Sequence, residues 1–323
     1  MQNTGLILGS RTNDFLGGTL PYKVLNPSGD WTKYLPDGEW QLLHDVDTMN
    51  CTSFSFYNVI ETLYFFLTGK KRNFSDRFGG TMAGNTKQGN YMWAPPDTAR
   101  HYGMIDEDVW PVPERGNLAP NEYWDLYYIM PPIEVINKAK EFLKDWTITY
   151  ERFEPTKANI LYYLKTSPIH VAIPGHAVMC FTNPQQVNTY FFDSYPPFVK
   201  KWNENFVFAQ RIVLTRKPLK YVEKLIKTRT SKDCWAIYPL ETIQKQKHRI
   251  VGDKTFLMMG FDFQDVEIVS QKELNSYALG GEITEDRVEH FVKFFNTPPA
   301  VPNPPIRVGW LQDFFEKLKS WLS

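Results

Sequence analysis

At 323 residues, with 36 basic and 36 acidic side chains, the chain carries no formal net charge, which excludes the basic surface that binding to nucleic-acid phosphates needs. Its three scattered cysteines are too few for a disulfide framework. No Cys/His spacing suits zinc and no Gly-rich phosphate loop follows a strand, so neither metal nor cofactor is expected.

The length allows one full domain with a large core plus a smaller module. The first 30 residues lack a basic leader and a sustained apolar stretch, and no run of about 18 apolar residues occurs, so neither a signal peptide nor a membrane span is expected and synthesis is placed in the cytoplasm. Residues 1–35 are Gly/Asn-rich and poorly periodic, and read as an arm. Beyond Asn50, a candidate N-cap, Phe56, Val59, Ile60, Leu63, Phe66 and Leu67 form one helical stripe. Cys51 therefore stands in a helix's first turn, where unpaired N–H groups and the dipole favour an anion. A thiol is a useful nucleophile only in its anionic form, so this placement suits covalent catalysis. Gly175-His176-Ala177-Val178 opens an apolar strand, and Phe192-Asp193-Ser194-Tyr195 ends another.

After Leu214 the pattern changes. Residues 217–227 read as a basic connector and 233–284 as a compact unit, giving an accessory module over 216–296. A linker over 297–309 follows; its first nine residues hold five prolines, which favours an extended spacer. Residues 310–323 form an amphipathic helix with Trp310, Leu311, Phe314, Phe315, Leu318, Trp321 and Leu322 on one face. That face needs cover, and a docking helix for a partner protein or a second copy is expected. Its balanced charge gives no pull toward anionic lipid, which disfavours a membrane interface.

Cys51-Thr-Ser-Phe-Ser55 resembles the Cys-Trp-Ala-Phe-Ser that begins the central helix of papain-like cysteine proteases. Gly175-His-Ala-Val178 is similar to their His strand, and Phe192-Asp-Ser-Tyr195 to their Lys-Asn-Ser-Trp. His176 follows Cys51 by 125 residues and Asp193 by 142, near that family's spacing. Asn73–Arg77, Ala99–Pro111 and Leu161–Ile173 (the last matched to the strand before the His) extend the resemblance over residues 36–215. It implies an α+β, papain-like two-subdomain fold: a helical part facing an antiparallel sheet or barrel, and a cleft for an extended peptide. It also implies a cysteine endopeptidase in which Cys51 is the nucleophile, His176 its acid–base partner and Asp193 the group that orients the imidazole. The family usually has Asn where Asp193 stands; the carboxylate implies an active range extended toward alkaline pH. Tyr195 takes the place of a Trp that shields the His from water.

The oxyanion hole departs most from the family. The Cys51 backbone N–H supplies one donor, but the Gln expected six residues earlier is Asp45, whose carboxylate would repel developing charge. Gln41, ten residues before Cys51, is the candidate second donor if the loop is rebuilt, with His44 or a backbone group as alternatives. A long proregion is absent, and the arm reads as structural, with a short plug across the cleft as the alternative. Cys180, Cys234, His101, His170, His248 and His290 read as structural. The 233–284 unit resembles a short module of bacterial and phage surface proteins, and the whole layout resembles proteases of phages and small-genome bacteria, which suggests a virion setting. Two rival readings are a cell-wall amidopeptidase and a catalytically degenerate assembly protein.

Overall fold

The computed structural model describes residues 5–7, 9, 20, 22–182, 189–203, 205–217, 219, 221–238 and 245–296. The proline linker and the docking helix expected from the sequence lie outside these. The chain divides after Lys217 into two compact units.

The first unit is α+β. Its axis is the helix Cys51–Thr68, which ends where Gly69 turns left-handed (φ 73°) and returns its N–H to the Phe65 carbonyl. Nearly every side chain of this helix is buried, including Thr52, Ser53, Ser55 and Thr62. It is therefore a core helix rather than a surface one, as an all-round apolar environment demands. Around it lie Asp76–Met82, Ala94–Tyr102, Pro120–Tyr127 and Ile133–Lys140.

Facing the helices is a six-stranded sheet in the order Trp146–Phe153, Phe208–Arg216, Ile169–Ile173, His176–Thr182, Thr189–Phe192 and Val199–Trp202, antiparallel at every pairing. Phe56, Val59, Ile60 and Leu63 share one cluster with Val171, Val178, Met179 and Ile212, so the helix packs directly on the sheet. Two placements differ from the sequence reading. Leu161–Leu164 do not belong to the strand before the His; they end a helix, Lys157–Leu164, and the strand begins at Ile169 after Pro168, a residue that cannot donate to a helix or ladder. Residues 22–35 are also more than an arm: Trp31 is fully buried in the main cluster, with its indole N–H on the Leu164 carbonyl.

The second unit holds a five-stranded mixed sheet, ordered Val266–Val269, Lys224–Thr228, Cys234–Tyr238, Gln246–Ile250 and Ala278–Ile283, with parallel pairs at both edges. The helix Val288–Asn296 buries Val288, Phe291, Val292 and Phe295, a one-face spacing, among Tyr238, Ile250 and Ile283. No helix among the described residues is long and apolar enough to cross a membrane.

Candidate active site

Cys51 is the first residue of the central helix and has no exposed surface. Asn50 holds the N-cap position but does not cap with its side chain; its amide instead donates to the Asp76 carbonyl (2.9 Å), tying the helix start to the next helix. Met49, just before, is held at φ 56°. Opposite, Pro174-Gly175 forms a two-residue turn between paired Ile173 and His176, with Gly175 at φ 76° as a Pro-Gly turn favours. His176 is thus fixed as the first residue of its strand. The Ala177 backbone N–H points at Cys51 Sγ (3.4 Å), which locks strand and helix together at this place.

Asp193 lies just past the strand Thr189–Phe192. Its Oδ1 meets His176 Nε2 at 2.6 Å, and its Oδ2 accepts from Lys200 Nζ at 2.6 Å. His176 Nε2 is thereby committed to the carboxylate. Burial alone would depress the His176 pKa; the hydrogen bonds to Asp193 and Cys51, and their charges, override it and raise the ring to about 9. The ring therefore stays cationic through neutral pH and loses its proton as pH rises through that value. Burial likewise pushes Asp193 up, but His176 and Lys200 hold it below its usual range. The structure joins His176 to Asp193 directly, and Cys51 lies next to that pair through the N–H of Ala177, the residue after His176.

The segment before Cys51 forms a hairpin, Leu42–Leu43 with Val46–Asp47. His44 and Asp45 form its two-residue turn with φ 49° and 63°, the left-handed pair that such turns require. This corrects one expectation: Asp45 is exposed at the hairpin tip, so its carboxylate does not take the place of the family's Gln. His44 sets its ring on Tyr123, with centroids 5.3 Å apart. Gln41 is fully buried, tied by its backbone N–H and its Oε1 to Ser194, the residue after Asp193. Its amide nitrogen donates to Asp47 Oδ1 (2.9 Å) and to the Tyr195 hydroxyl (2.8 Å). Tyr195 in turn donates to Asp47 Oδ2 and sets its ring edge on His176, with centroids 5.5 Å apart.

Three residues near the site escaped the sequence reading. Asp47 draws together Gln41, Tyr195 and the Met49 N–H; its signal was a second acid within the hairpin. Lys200 gave only an alternating basic residue on a strand. Leu6 lies in one apolar cluster with Cys51, Met92, Ala172, Ala177 and Phe208, although residues 1–35 had been read as a structural arm. Two other groups are structural by their contacts. His170 is buried between the Ser55 hydroxyl (2.7 Å) and the Gln210 amide (2.7 Å), and burial pushes its pKa down to about 3. Burial raises the thiols of Cys180 and Cys234, the latter to about 11. Among the described residues no group of three or more His, Cys, Asp or Glu could hold a metal ion.

No family model matches the sequence, and no curated protein matches it. Solved structures do resemble it in fold. Xylellain, a cysteine protease from Xylella fastidiosa, is 16% identical, with 65% of this chain and 96% of that one covered at a TM-score of 0.49. Digestive procathepsin L 3 of Tenebrio molitor is 14% identical, with 65% and 76% covered at 0.45. The bromelain protease from Ananas comosus, in complex with the E64 inhibitor, is 13% identical, with 57% and 97% covered at 0.41.

Proposed function

We propose that the chain is a cysteine endopeptidase of the papain-like type. The observation that supports this reading is the bond of His176 to a buried carboxylate, with Cys51 at a helix start accepting from the N–H of the next residue, Ala177. Such an imidazolium holds a thiolate beside it and has a proton ready for a leaving group. In the first half-reaction Cys51 Sγ attacks the scissile carbonyl carbon, the C–N bond breaks, and His176 protonates the departing amine. In the second, water attacks the thioester, His176 takes its proton, and the Sγ–C bond breaks to release a carboxylic acid.

The oxyanion donors in this scheme are the Cys51 backbone N–H and Gln41 Nε2, which exchanges its bond to Asp47 for the developing charge. Asp193 keeps the ring oriented and cationic, and Lys200 steadies the carboxylate's other oxygen. Asp45 at the exposed hairpin tip supports an intact site, whereas the Asp47 carboxylate 2.9 Å from Gln41 Nε2 is what a catalytically degenerate site would keep.

The test is hydrolysis of denatured casein by the wild-type chain and by Cys51→Ala. Cleavage that Cys51→Ala abolishes supports the reading. Cleavage that survives Cys51→Ala, or none by the wild type, contradicts it. Cleavage of muropeptides with casein left intact would instead indicate a cell-wall amidopeptidase.

A further inference from the structure

Four acids gather in the helical half of the first unit: Glu39, Glu61, Asp76 and Glu107. Glu61 is 4% exposed and Asp76 5%. Three of them accept from uncharged donors: Glu61 from the Phe74 N–H (2.7 Å), Glu107 from the Val112 N–H (3.0 Å) and Glu39 from the Asn73 amide (2.7 Å). Asp76 Oδ1 is buried and receives no hydrogen bond. Glu39 reaches the Asp76 carboxyl, but as a second acid it can bond it only through a shared proton. Arg77, the next residue, turns its guanidinium away, onto the carbonyls of Pro111, Leu126 and Tyr127. Among the described residues none of the four acids forms an ion pair. A buried carboxylate without a cation is costly, so the cluster has a standing demand for positive charge.

Glu39, Asp76 and Glu107 line a cavity of about 190 Å³ whose apolar walls include Trp40, Leu43 and Phe54. It lies where the hairpin, the central helix and the helix Asp76–Met82 come together. The acids do not converge on a single point as metal ligands must, since no group of three or more among the described residues could hold an ion. Drug-sized ligands take cavities of about 300–1,000 Å³, so this one suits a short molecule. Carboxylates beside an indole and a phenyl ring fit an ammonium group on a short aliphatic chain, which the rings attract as well as the charges.

We propose that this cavity is a binding site for an aliphatic primary ammonium group, which displaces the proton shared by the Asp76 and Glu39 carboxyls. The site is separate from the Cys51 chemistry and does not rest on the peptidase reading. Burial raises Asp76 and Glu61 well above the usual carboxylate range and Glu107 to about 7, so protons compete with the amine and are released as it binds. The other ionisable groups facing the acids are Arg77, Asp37, Tyr57 and Tyr127; burial raises both tyrosines, which stay neutral through this range.

The experiment is an amide NMR titration of the full chain with n-butylammonium at about pH 8, which needs no turnover. Saturable shifts at Phe54, Asp76 and Glu107 are expected, with a dissociation constant on the order of millimolar. Asp76→Asn and Glu107→Gln, both close in shape to the native side chains, are each expected to weaken binding about tenfold or more. The neutral analogue n-butanol is expected to give no saturable shift there, and n-butylammonium to bind more weakly at about pH 6. A capped lysine that binds like n-butylammonium would assign the site to a lysine side chain of a partner; failure of the capped lysine alone would assign it to a free amine. No saturable shift, an n-butanol affinity equal to that of n-butylammonium, or tighter binding at the lower pH would overturn the proposal. So would an unchanged affinity in Asp76→Asn, or in Glu107→Gln should the first variant not fold.

Discussion

Gln41 and Asp47 form a buried pair held between a hairpin and the segment after Asp193. A two-residue hairpin turn at His44-Asp45 lengthens the chain between Gln41 and Cys51, yet bonds to Ser194 hold Gln41 beside the triad. If its amide serves the oxyanion, Gln41→Ala is expected to lower kcat by about 100- to 1,000-fold with KM little changed. Steady-state kinetics on a chromogenic peptide checks this, and an unchanged kcat would assign Gln41 a purely structural place. Cys51, His176 and Asp193 stood out as candidates because their spacing and neighbours are distinctive. The hairpin was not, because its left-handed turn is built from His and Asp without the glycine that usually marks one.

Elements were legible where burial imposes a period. The stripe from Phe56 to Leu67 gave the central helix; its end at Gly69 is seen only in the structure. The helix Lys157–Leu164 was hidden because the apolar run Leu161–Leu164 was joined to the strand from Ile169 across the Lys165-Thr166-Ser167-Pro168 break. Trp31 was hidden because a single large residue carries no period. One pairing tests the sheet itself. Arg211 and Glu151, direct partners across adjacent strands, form an ion pair at 2.6 Å with side-chain exposures of 1% and 0%. Removing either partner strands a buried charge, so Glu151→Ala or Arg211→Ala is expected to cost about 3–5 kcal/mol, while a well-packed apolar pair at both positions should cost far less. Urea unfolding of the single and double variants checks this. Additive losses would mean the two charges do not depend on each other.

At the scale of the molecule, the account rests on a helical half and a sheet half that meet along one line and bring together side chains far apart in sequence. The α+β layout of the first unit follows from its pattern of elements; the five-stranded sheet of the second came with a looser sequence signal, because its short strands alternate little. The claim that matters most is that Cys51 and Asp193 act together on His176. It is tested most directly by NMR titration of the His176 ring in wild type, Cys51→Ala and Asp193→Asn, which requires neither substrate nor turnover. The account predicts a pKa of about 9 in wild type, falling in each variant as one stabilising partner of the cation is removed. A wild-type value near the ordinary histidine pKa of about 6.5, unmoved by either substitution, would contradict it.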